Sequence, residues 1–252
     1  MKATSDDLLS KVPEVTFIFW VIKVAATTFG ETAGDAVSMS LNLGYLIGTL
    51  IFAAIFAGAV VAQIAAREFR PFLYWATIVA STTVGTTMAD FVDRSLGIGY
   101  AGGTTLLIAL LTMSLFVWYR TLGSISIDTV SSPKSEMFYW VTIMLSQTLG
   151  TALGDWSADT AGLGYIGGAV LFGALLALVA AAYFSSEISR TLLFWTAFVL
   201  TRPLGAVVGD FLDKPISAGG LALSRFSASA ALLAFIVVCI VLFPQRAAQK
   251  AH

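Results

Sequence analysis

One pattern occurs four times in this chain: a Trp, a Gly ten residues later, and an Asp fifteen residues after the Trp. The copies are Trp20/Gly30/Asp35, Trp75/Gly85/Asp90, Trp140/Gly150/Asp155 and Trp195/Gly205/Asp210. A carboxylate is costly to bury in or near lipid, so four acids in one register of an apolar chain are unlikely to be noise. The pattern predicts an acidic site assembled around an internal symmetry axis.

The composition is typical of an integral membrane protein. Of the 252 residues, 58% are hydrophobic and 12% are charged, whereas a soluble domain is about 25% charged. The polar start, with Asp6 and Asp7, lacks the basic and apolar regions of a cleaved signal peptide. A net charge of −1 predicts no nucleic-acid partner. The single Cys239 and single His252 exclude a disulfide framework and a Cys/His zinc cluster within one chain. No cofactor is expected, and any metal held by one chain would bind through oxygen.

Eight apolar stretches approach the roughly 20 residues that a membrane-spanning helix needs. They lie near residues 14–36, 43–66, 72–92, 99–119, 137–157, 163–184, 192–212 and 219–243. Each repeat therefore contains a first helix with Trp, Gly and Asp, a short link, and a second helix. We predict an all-α membrane protein of four helical hairpins in one domain over residues 1–252. The predicted repeats cover 14–70, 71–120, 135–190 and 191–243, with a linker at 121–134.

A second signature, Leu-Gly-x-Gly-Tyr or similar, follows the link of each hairpin. It reads Leu43-Gly44-Tyr45, Gly97-Ile98-Gly99-Tyr100 and Gly162-Leu163-Gly164-Tyr165, and only Gly219-Gly220 remains in the fourth copy. No strand precedes the signature and no Lys follows it, so it does not match a phosphate-binding loop. We interpret it as a hairpin turn.

The distribution of basic residues predicts the direction of the hairpins. The segments outside the hairpins contain Lys2, Lys11, Arg67, Arg70, Arg120, Lys134, Arg190, Arg246 and Lys250. The links inside the hairpins contain only Arg94 and Lys214, beside Asp93 and Asp213. We therefore expect both termini in the cytoplasm, the Trp residues as interface anchors on that side, and the Asp residues toward the outside. Each repeat has two spans, so all four run in the same direction about an axis along the membrane normal.

Helical periodicity places a polar or small stripe on one side of each first helix. Polar groups of membrane helices face the bundle interior, so the four stripes are expected to meet near a common axis. The predicted polar lining consists of Thr27, Thr82, Thr86, Gln147 and Thr151. The glycines on and beside the stripes are expected to let the helices approach closely.

The four acids of the repeat have two interpretations. Each Asp could cap the following helix. Capping does not explain Glu31, Lys23 and Arg202, which also lie inside predicted spans. The predicted cation or transport site is Glu31, Asp35, Asp90, Asp155 and Asp210, with the four Asp residues as candidate metal ligands. Lys23 and Arg202 are predicted counter-charges or coupling residues. Together these side chains give an interior charge near −3, which calls for protonation, further pairing or a bound cation.

The repeat is broken in two places. Lys23 and Glu31 occur only in the first copy, and Arg202 and Pro203 only in the fourth. Pro203 removes a backbone donor and is expected to kink or loosen the seventh helix. If the four hairpins close into a ring, the first and last copies become neighbours. We therefore predict a special crevice between repeats one and four.

The tandem copies, each with two predicted spans and a Trp, resemble a bacterial integral membrane family built from a repeat of unknown function. The resemblance covers about residues 14–243. It implies eight spans and a multi-pass location in the bacterial inner membrane, and it brings no activity. The fourth copy departs from the pattern because it lacks the Tyr of the second signature and carries Arg202-Pro203.

Three functions remain open at this point. The leading hypothesis is a transporter or channel for a small cation, with a divalent ion favoured because hard ions take carboxylate, carbonyl and hydroxyl oxygens. The second is a proton-coupled carrier of a small organic solute, in which Glu31 or an Asp titrates and Lys23 or Arg202 binds an anionic group. The third is a membrane scaffold or sensor that transports nothing and whose acids are only caps and ion pairs.

An enzyme is not expected, because the chain has no internal His and no exposed pairing of nucleophile and base. The expected partners are a small cation or solute and membrane lipid. The sequence leaves open whether the chain forms a homo-oligomer, which ion couples transport, and the direction of transport.

Overall fold

A computed structural model describes residues 10–248. Over that range the chain is helical, and its one β-type contact is an isolated bridge between Pro13 and Ala247. The long helices are α1 (Phe17–Asp35), α2 (Gly44–Ala65), α3 (Pro71–Asp90), α4 (Gly99–Leu122), α5 (Pro133–Asp155), α6 (Gly164–Ser185), α7 (Arg190–Asp213) and α8 (Arg225–Leu242). Five residues named above lie outside the described residues: Lys2, Asp6, Asp7, Lys250 and His252.

Each predicted apolar stretch corresponds to one of these helices. Five of them, α2, α4, α6, α7 and α8, are long and apolar enough to cross a membrane. The other three, α1, α3 and α5, are first helices of a repeat, and their buried faces carry polar side chains such as Glu31 and Thr86. Their lower hydropathy therefore follows from their place in the interior.

The four first helices form an inner ring. In that ring α1 packs on α3, α3 on α5, α5 on α7, and α7 on α1. Each second helix then covers the first helix of the next repeat: α2 lies on α3, α4 on α5, α6 on α7, and α8 on α1. The ring is therefore closed, and the prediction that repeats one and four become neighbours is confirmed.

The repeated glycines set the close approach within the inner ring. A Cβ atom added to any of them would collide with a side chain of the next repeat. The pairs are Gly30 with Thr82, Gly85 with Gln147, Gly150 with Arg202, and Gly205 with Thr27. The last pair joins repeat four to repeat one, so the same contact recurs around the whole ring. The predicted packing role of these glycines is confirmed.

The repeated Trp residues are largely core residues, which corrects the prediction that they anchor the chain at the membrane interface. Trp75, Trp140 and Trp195 are at most 4% exposed, whereas Trp20 is partly exposed. Neighbouring chain segments cover this end of the ring. Trp195 Nε1 donates to the carbonyl oxygen of Ile125 at 3.0 Å, in the connection between α4 and α5.

That connection corresponds to the predicted linker. The N-terminal end of the described chain packs against it, and the C-terminal end packs against the N-terminal end. The linker contains a short 3₁₀ turn, Ile127–Thr129. Ser10 Oγ donates to the carbonyl oxygen of Ile127 at 2.7 Å. The amide of Lys11 donates to the carbonyl oxygen of Val130 at 3.0 Å. The amide of Ala248 donates to the carbonyl oxygen of Val12 at 2.8 Å. These hydrogen bonds hold a cover of chain segments over the Trp end, which is why the indole rings are buried.

The opposite end of the ring carries the links of the hairpins. In repeats one to three the first helix continues past its Asp into one π-helical turn, at residues 36–40, 91–95 and 156–160. The second helix then begins at a glycine such as Gly99 or Gly164, with φ of 73° and 64°. Residues other than Gly rarely adopt this left-handed backbone conformation, so the second signature forms the predicted hairpin turn.

Candidate functional site

The inward faces of the inner helices stack in layers along the ring axis. The layer nearest the cover is aromatic: Phe19, Tyr74, Tyr139 and Phe194 are buried, and each contacts the Trp of the next repeat at ring-centroid distances of 5.4–6.2 Å. The hydroxyls of Tyr74 and Tyr139 are hydrogen-bonded at 2.6 Å. This layer closes the interior at the Trp end.

Arg202 is fully buried at the middle of the ring and is held by the other three repeats. Its Nη2 lies 3.0 Å from Glu31 Oε2 and within hydrogen-bond distance of the hydroxyls of Thr86 and Thr151, while Nη1 donates to the carbonyl oxygen of Thr27 at 3.3 Å. Glu31 Oε2 also accepts from Thr86 at 3.2 Å. The structure thus brings four of the predicted interior residues to Arg202.

Lys23 is on α1, one turn nearer the aromatic layer than Thr27, and is also fully buried. Its Nζ stands 4.0 Å from the ring centre of Phe198 and has no hydrogen-bond acceptor among the described residues. Gln147 is buried on α5, and neither end of its amide is bonded within residues 10–248. Thr82 donates instead to the carbonyl oxygen of Ala26 at 3.1 Å. Lys23 is therefore separate from the acids that it was predicted to balance.

The four repeated Asp residues form a buried layer near the links, each at most 4% exposed. Two basic side chains join the acids in pairs, and a third, Arg225, has its Nε 3.7 Å from Asp35 Oδ2. Lys214 Nζ lies 2.5 Å from Asp35 Oδ2 and 2.9 Å from Asp210 Oδ1. Arg94 lies between the other two acids, with Nε 3.0 Å from Asp90 Oδ1 and Nη2 3.4 Å from Asp155 Oδ2. Lys214 and Arg94 therefore each join the acids of two neighbouring repeats.

Helix capping is not what these acids do. Asp35, Asp90 and Asp155 each precede a π-helical turn, and none of the three side chains makes a capping hydrogen bond to it. Asp210 lies inside α7, where no cap is needed. The capping interpretation is therefore wrong, and ion pairing replaces it.

Arg94 and Lys214 belong to the charged layer, although they were predicted only to be basic residues of the links. Each lies four residues after the Asp of its own repeat, whereas repeats one and three have Met39 and Asp159 at that position. A spacing of four residues brings an acid and a base together on one helical face, so the signal was present in the sequence. The interior therefore holds five acids and the four bases Lys23, Arg94, Arg202 and Lys214, and its charge is near −1 rather than −3. The interior in this conformation therefore does not require a bound ion.

In the links between the long helices, burial and neighbouring charges oppose each other in their effects on the pKa values of Lys214 and Asp93. Burial lowers the pKa of Lys214, but Asp210 and Asp35 raise it more, so the pKa lies above its ordinary value and the ammonium stays charged. Burial raises the pKa of Asp93 to about 6, although Arg94 opposes the shift. Both oxygens of Asp93 lack a hydrogen-bond partner among the described residues.

Three acids come together at the interface of repeats one and four. Glu31, Asp35 and Asp210 each offer a carboxylate oxygen, and these oxygens lie within 4.8 Å of one another. Hard cations such as Ca²⁺ bind oxygen at about 2.3–2.6 Å, so ligands on opposite sides of such an ion are up to about 5 Å apart. The donor set and its spacing fit a hard divalent cation.

The other half of the ring has the same plan with different side chains. Positions 120 residues apart correspond, so Asp155 and Asp90 stand where Asp35 and Asp210 stand in the first pair. Thr151 takes the place of Glu31. The second pair therefore lacks the third carboxylate. The predicted site of five acids is divided in the structure into a group of three and a separate group of two.

Four stretches of the chain, residues 18–69, 73–124, 138–189 and 193–246, match a family described as a repeat of unknown function (DUF347). The chain belongs to this family. Each match covers one helical hairpin, so the predicted resemblance to a family of four tandem repeats is confirmed. No curated protein and no solved structure matches the chain. Membership of this family accounts for the repeat and implies no activity.

Proposed function

We propose that this protein is an integral membrane transporter of a small divalent cation, which binds to Glu31, Asp35 and Asp210. The meeting of these three buried carboxylates between the first and last repeats is the observation that carries the proposal. Two Asp charges at one point match the charge of a divalent ion, and carboxylate oxygens are the ligands that hard ions prefer. Asp35 Oδ1 has no hydrogen-bond partner within residues 10–248 and is free to act as a ligand.

We further propose that all eight helices span the bacterial inner membrane with both termini in the cytoplasm. The second helices expose large apolar side chains, including Leu50 and Val61 of α2, which are 62% and 67% exposed. Contiguous apolar surface of this kind is stable only against lipid or protein. An apolar groove of about 550 Å³ between α1, α6 and α7 suits a lipid chain. The basic residues outside the hairpins support the orientation.

The closed Trp end favours a carrier over an open channel. The aromatic layer and the cover block the axis on that side, whereas the acidic layer lies directly beneath Arg94, which is one-third exposed. A carrier exposes its site to one side at a time. Pro203, in the middle of α7 beside Arg202, provides a point where this helix can bend.

Lys23 supports a second candidate, a proton-coupled carrier of a small anionic solute. A buried ammonium without an acceptor is costly, and an anionic group would supply the missing partner. This candidate predicts solute-dependent proton movement that Lys23→Met abolishes. The cation transporter predicts cation flux that Asp35→Asn abolishes.

The two can be separated by reconstituting the full chain in liposomes that contain a fluorescent divalent-ion indicator, and adding Mn²⁺, Ca²⁺ or Mg²⁺ outside. We expect uptake of at least one of these ions, and a loss of about tenfold or more in Asp35→Asn and in Asp210→Asn. Asp155→Asn is the matched control from the other half and should keep most of the uptake. Uptake that is equal in all three variants and the wild type would contradict the assignment and favour a scaffold held together by ion pairs.

A further inference from the structure

Lys214 occupies the position that a cation bound by the first Asp pair would take. Its ammonium lies 2.5 Å from Asp35 Oδ2 and 2.9 Å from Asp210 Oδ1, between the two carboxylates. A cation bound by both oxygens would need the same space and the same two charges. The ammonium and the ion therefore exclude each other at this point.

The other half of the ring is held by a different kind of base. Arg94 spans Asp90 and Asp155 with two nitrogens of one planar guanidinium. A guanidinium offers five donors in a rigid fork and suits two carboxylates at once, whereas an ammonium is a point charge on a flexible four-carbon stem. Lys214 is therefore the more easily displaced of the two bases, and its side chain is already 13% exposed.

The neighbouring residue offers a place for the displaced ammonium. Asp213 Oδ2 accepts from Arg225 Nε at 3.1 Å, while Asp213 Oδ1 has no hydrogen-bond partner among the described residues. Asp213 directly precedes Lys214 in the chain and is buried. Movement of Lys214 toward Asp213 and the link surface would release both carboxylates of the first pair from the ammonium, and Arg225 Nε would remain 3.7 Å from Asp35 Oδ2.

We propose that Lys214 is a tethered counter-ion that a divalent cation displaces when it binds to Glu31, Asp35 and Asp210, and that Arg94 keeps the corresponding position between Asp90 and Asp155 closed to cations. This inference rests on the proposed function. It adds that each chain has one exchangeable site. It also explains how the protein fills the acidic layer between transport events: Lys214 neutralises part of the charge when no ion is bound.

The test is equilibrium binding of Mn²⁺ to the purified full-length protein in detergent, measured as free Mn²⁺ by electron paramagnetic resonance. We expect about one Mn²⁺ per wild-type chain. In Lys214→Gln the ion no longer competes with the ammonium, so binding should be tighter by about tenfold or more. Lys214→Arg puts a clamping guanidinium at the site and should weaken binding by a similar factor. Arg94→Gln, the matched control, should change the affinity about threefold or less.

The outcomes separate this inference from the proposed function. If Asp35→Asn abolishes Mn²⁺ binding but Lys214→Gln binds no more tightly than the wild type, the site exists and the role of Lys214 is wrong. If neither the wild type nor Lys214→Gln binds Mn²⁺, the proposed cation site itself is wrong. If Lys214→Gln does not fold, Lys214→Arg decides, because binding as tight as that of the wild type would overturn the inference.

Discussion

Lys214 and Asp35, which are 179 residues apart in the sequence, form an ion pair that joins the last repeat to the first. Arg202 and Glu31, 171 residues apart, form a second ion pair across the same interface. The corresponding base in the other half, Arg94, joins repeats two and three. The four repeats therefore form two Asp pairs, and only the pair between repeats four and one lies beside a third acid, Glu31.

The Arg202–Glu31 pair is expected to be essential for stability, because both side chains are buried. Arg202→Met leaves the Glu31 carboxylate without its charged partner inside the ring. Removing one member of a buried ion pair costs about 3–5 kcal/mol. Unfolding of the variant in detergent should show a loss of this size.

The double variant Arg202→Met/Glu31→Gln is the matched control, because it removes both charges. It should recover a large part of the stability that the single variant loses. Additive losses in the double variant would show that the pair does not carry the energy assigned to it.

Gly205 should not tolerate a side chain. A Cβ at this position would meet both the side chain and the backbone of Thr27 on α1. Overpacking of this kind costs about 1–3 kcal/mol, so Gly205→Ala should lower the melting temperature in detergent. Gly58→Ala on α2 is the control, because a Cβ added there meets no neighbouring atom within 4 Å. Replacing this Gly by Ala should also favour the helix by about 1 kcal/mol. Equal effects of the two substitutions would contradict the packing described for the inner ring.

Asp93 predicts a pH dependence that one substitution removes. Its pKa is about 6 in the folded protein and about 3.9 in an unfolded chain. At pH values between these two pKa values, Asp93 is protonated in the folded protein and ionised in the unfolded chain. The contribution of Asp93 to stability therefore falls as the pH rises from about 4 to 6.

The measurement is the melting temperature of Asp93→Asn relative to the wild type across this pH range. Asn resembles the protonated acid, so the two proteins should melt alike near pH 4, and the variant should be the more stable above pH 6. A difference that does not change with pH would show that the pKa of Asp93 is the same in the folded and unfolded states.

Mn²⁺ should stabilise the folded protein only where the three-acid site is intact. A ligand at 100 times its dissociation constant adds about 2.7 kcal/mol. The melting temperature of the wild type and of Asp155→Asn should therefore rise with Mn²⁺ and fall back on addition of a chelator. Asp210→Asn should show no Mn²⁺-dependent shift. A shift that is equal in all three proteins would indicate binding elsewhere.

The helices, the inward stripes and the meeting of repeats one and four could be predicted from the sequence because they follow from local periodicity and from a count of spans. Glu31 and Arg202 were identified by the same logic, as charges at stripe positions where the other copies have uncharged residues. Their contact required only that the ring closes, which the short links between neighbouring repeats allow.

Two features depended on contacts between distant segments and could not be predicted in this way. The burial of Trp140 and Trp195 results from a cover built by the two ends of the chain and the connection between α4 and α5. The spacing of four residues indicated the contact of Arg94 with Asp90, but its contact with Asp155 depends on how repeats two and three pack together. Periodicity within one helix contains no information about either contact.

The most direct test of the cation site is an anomalous difference map from crystals of the full-length protein grown with Mn²⁺. We expect one strong peak within coordination distance of Asp35 and Asp210, with the Lys214 ammonium moved away from both carboxylates. A map with no peak there, or with a peak between Asp90 and Asp155 instead, would contradict the proposed site.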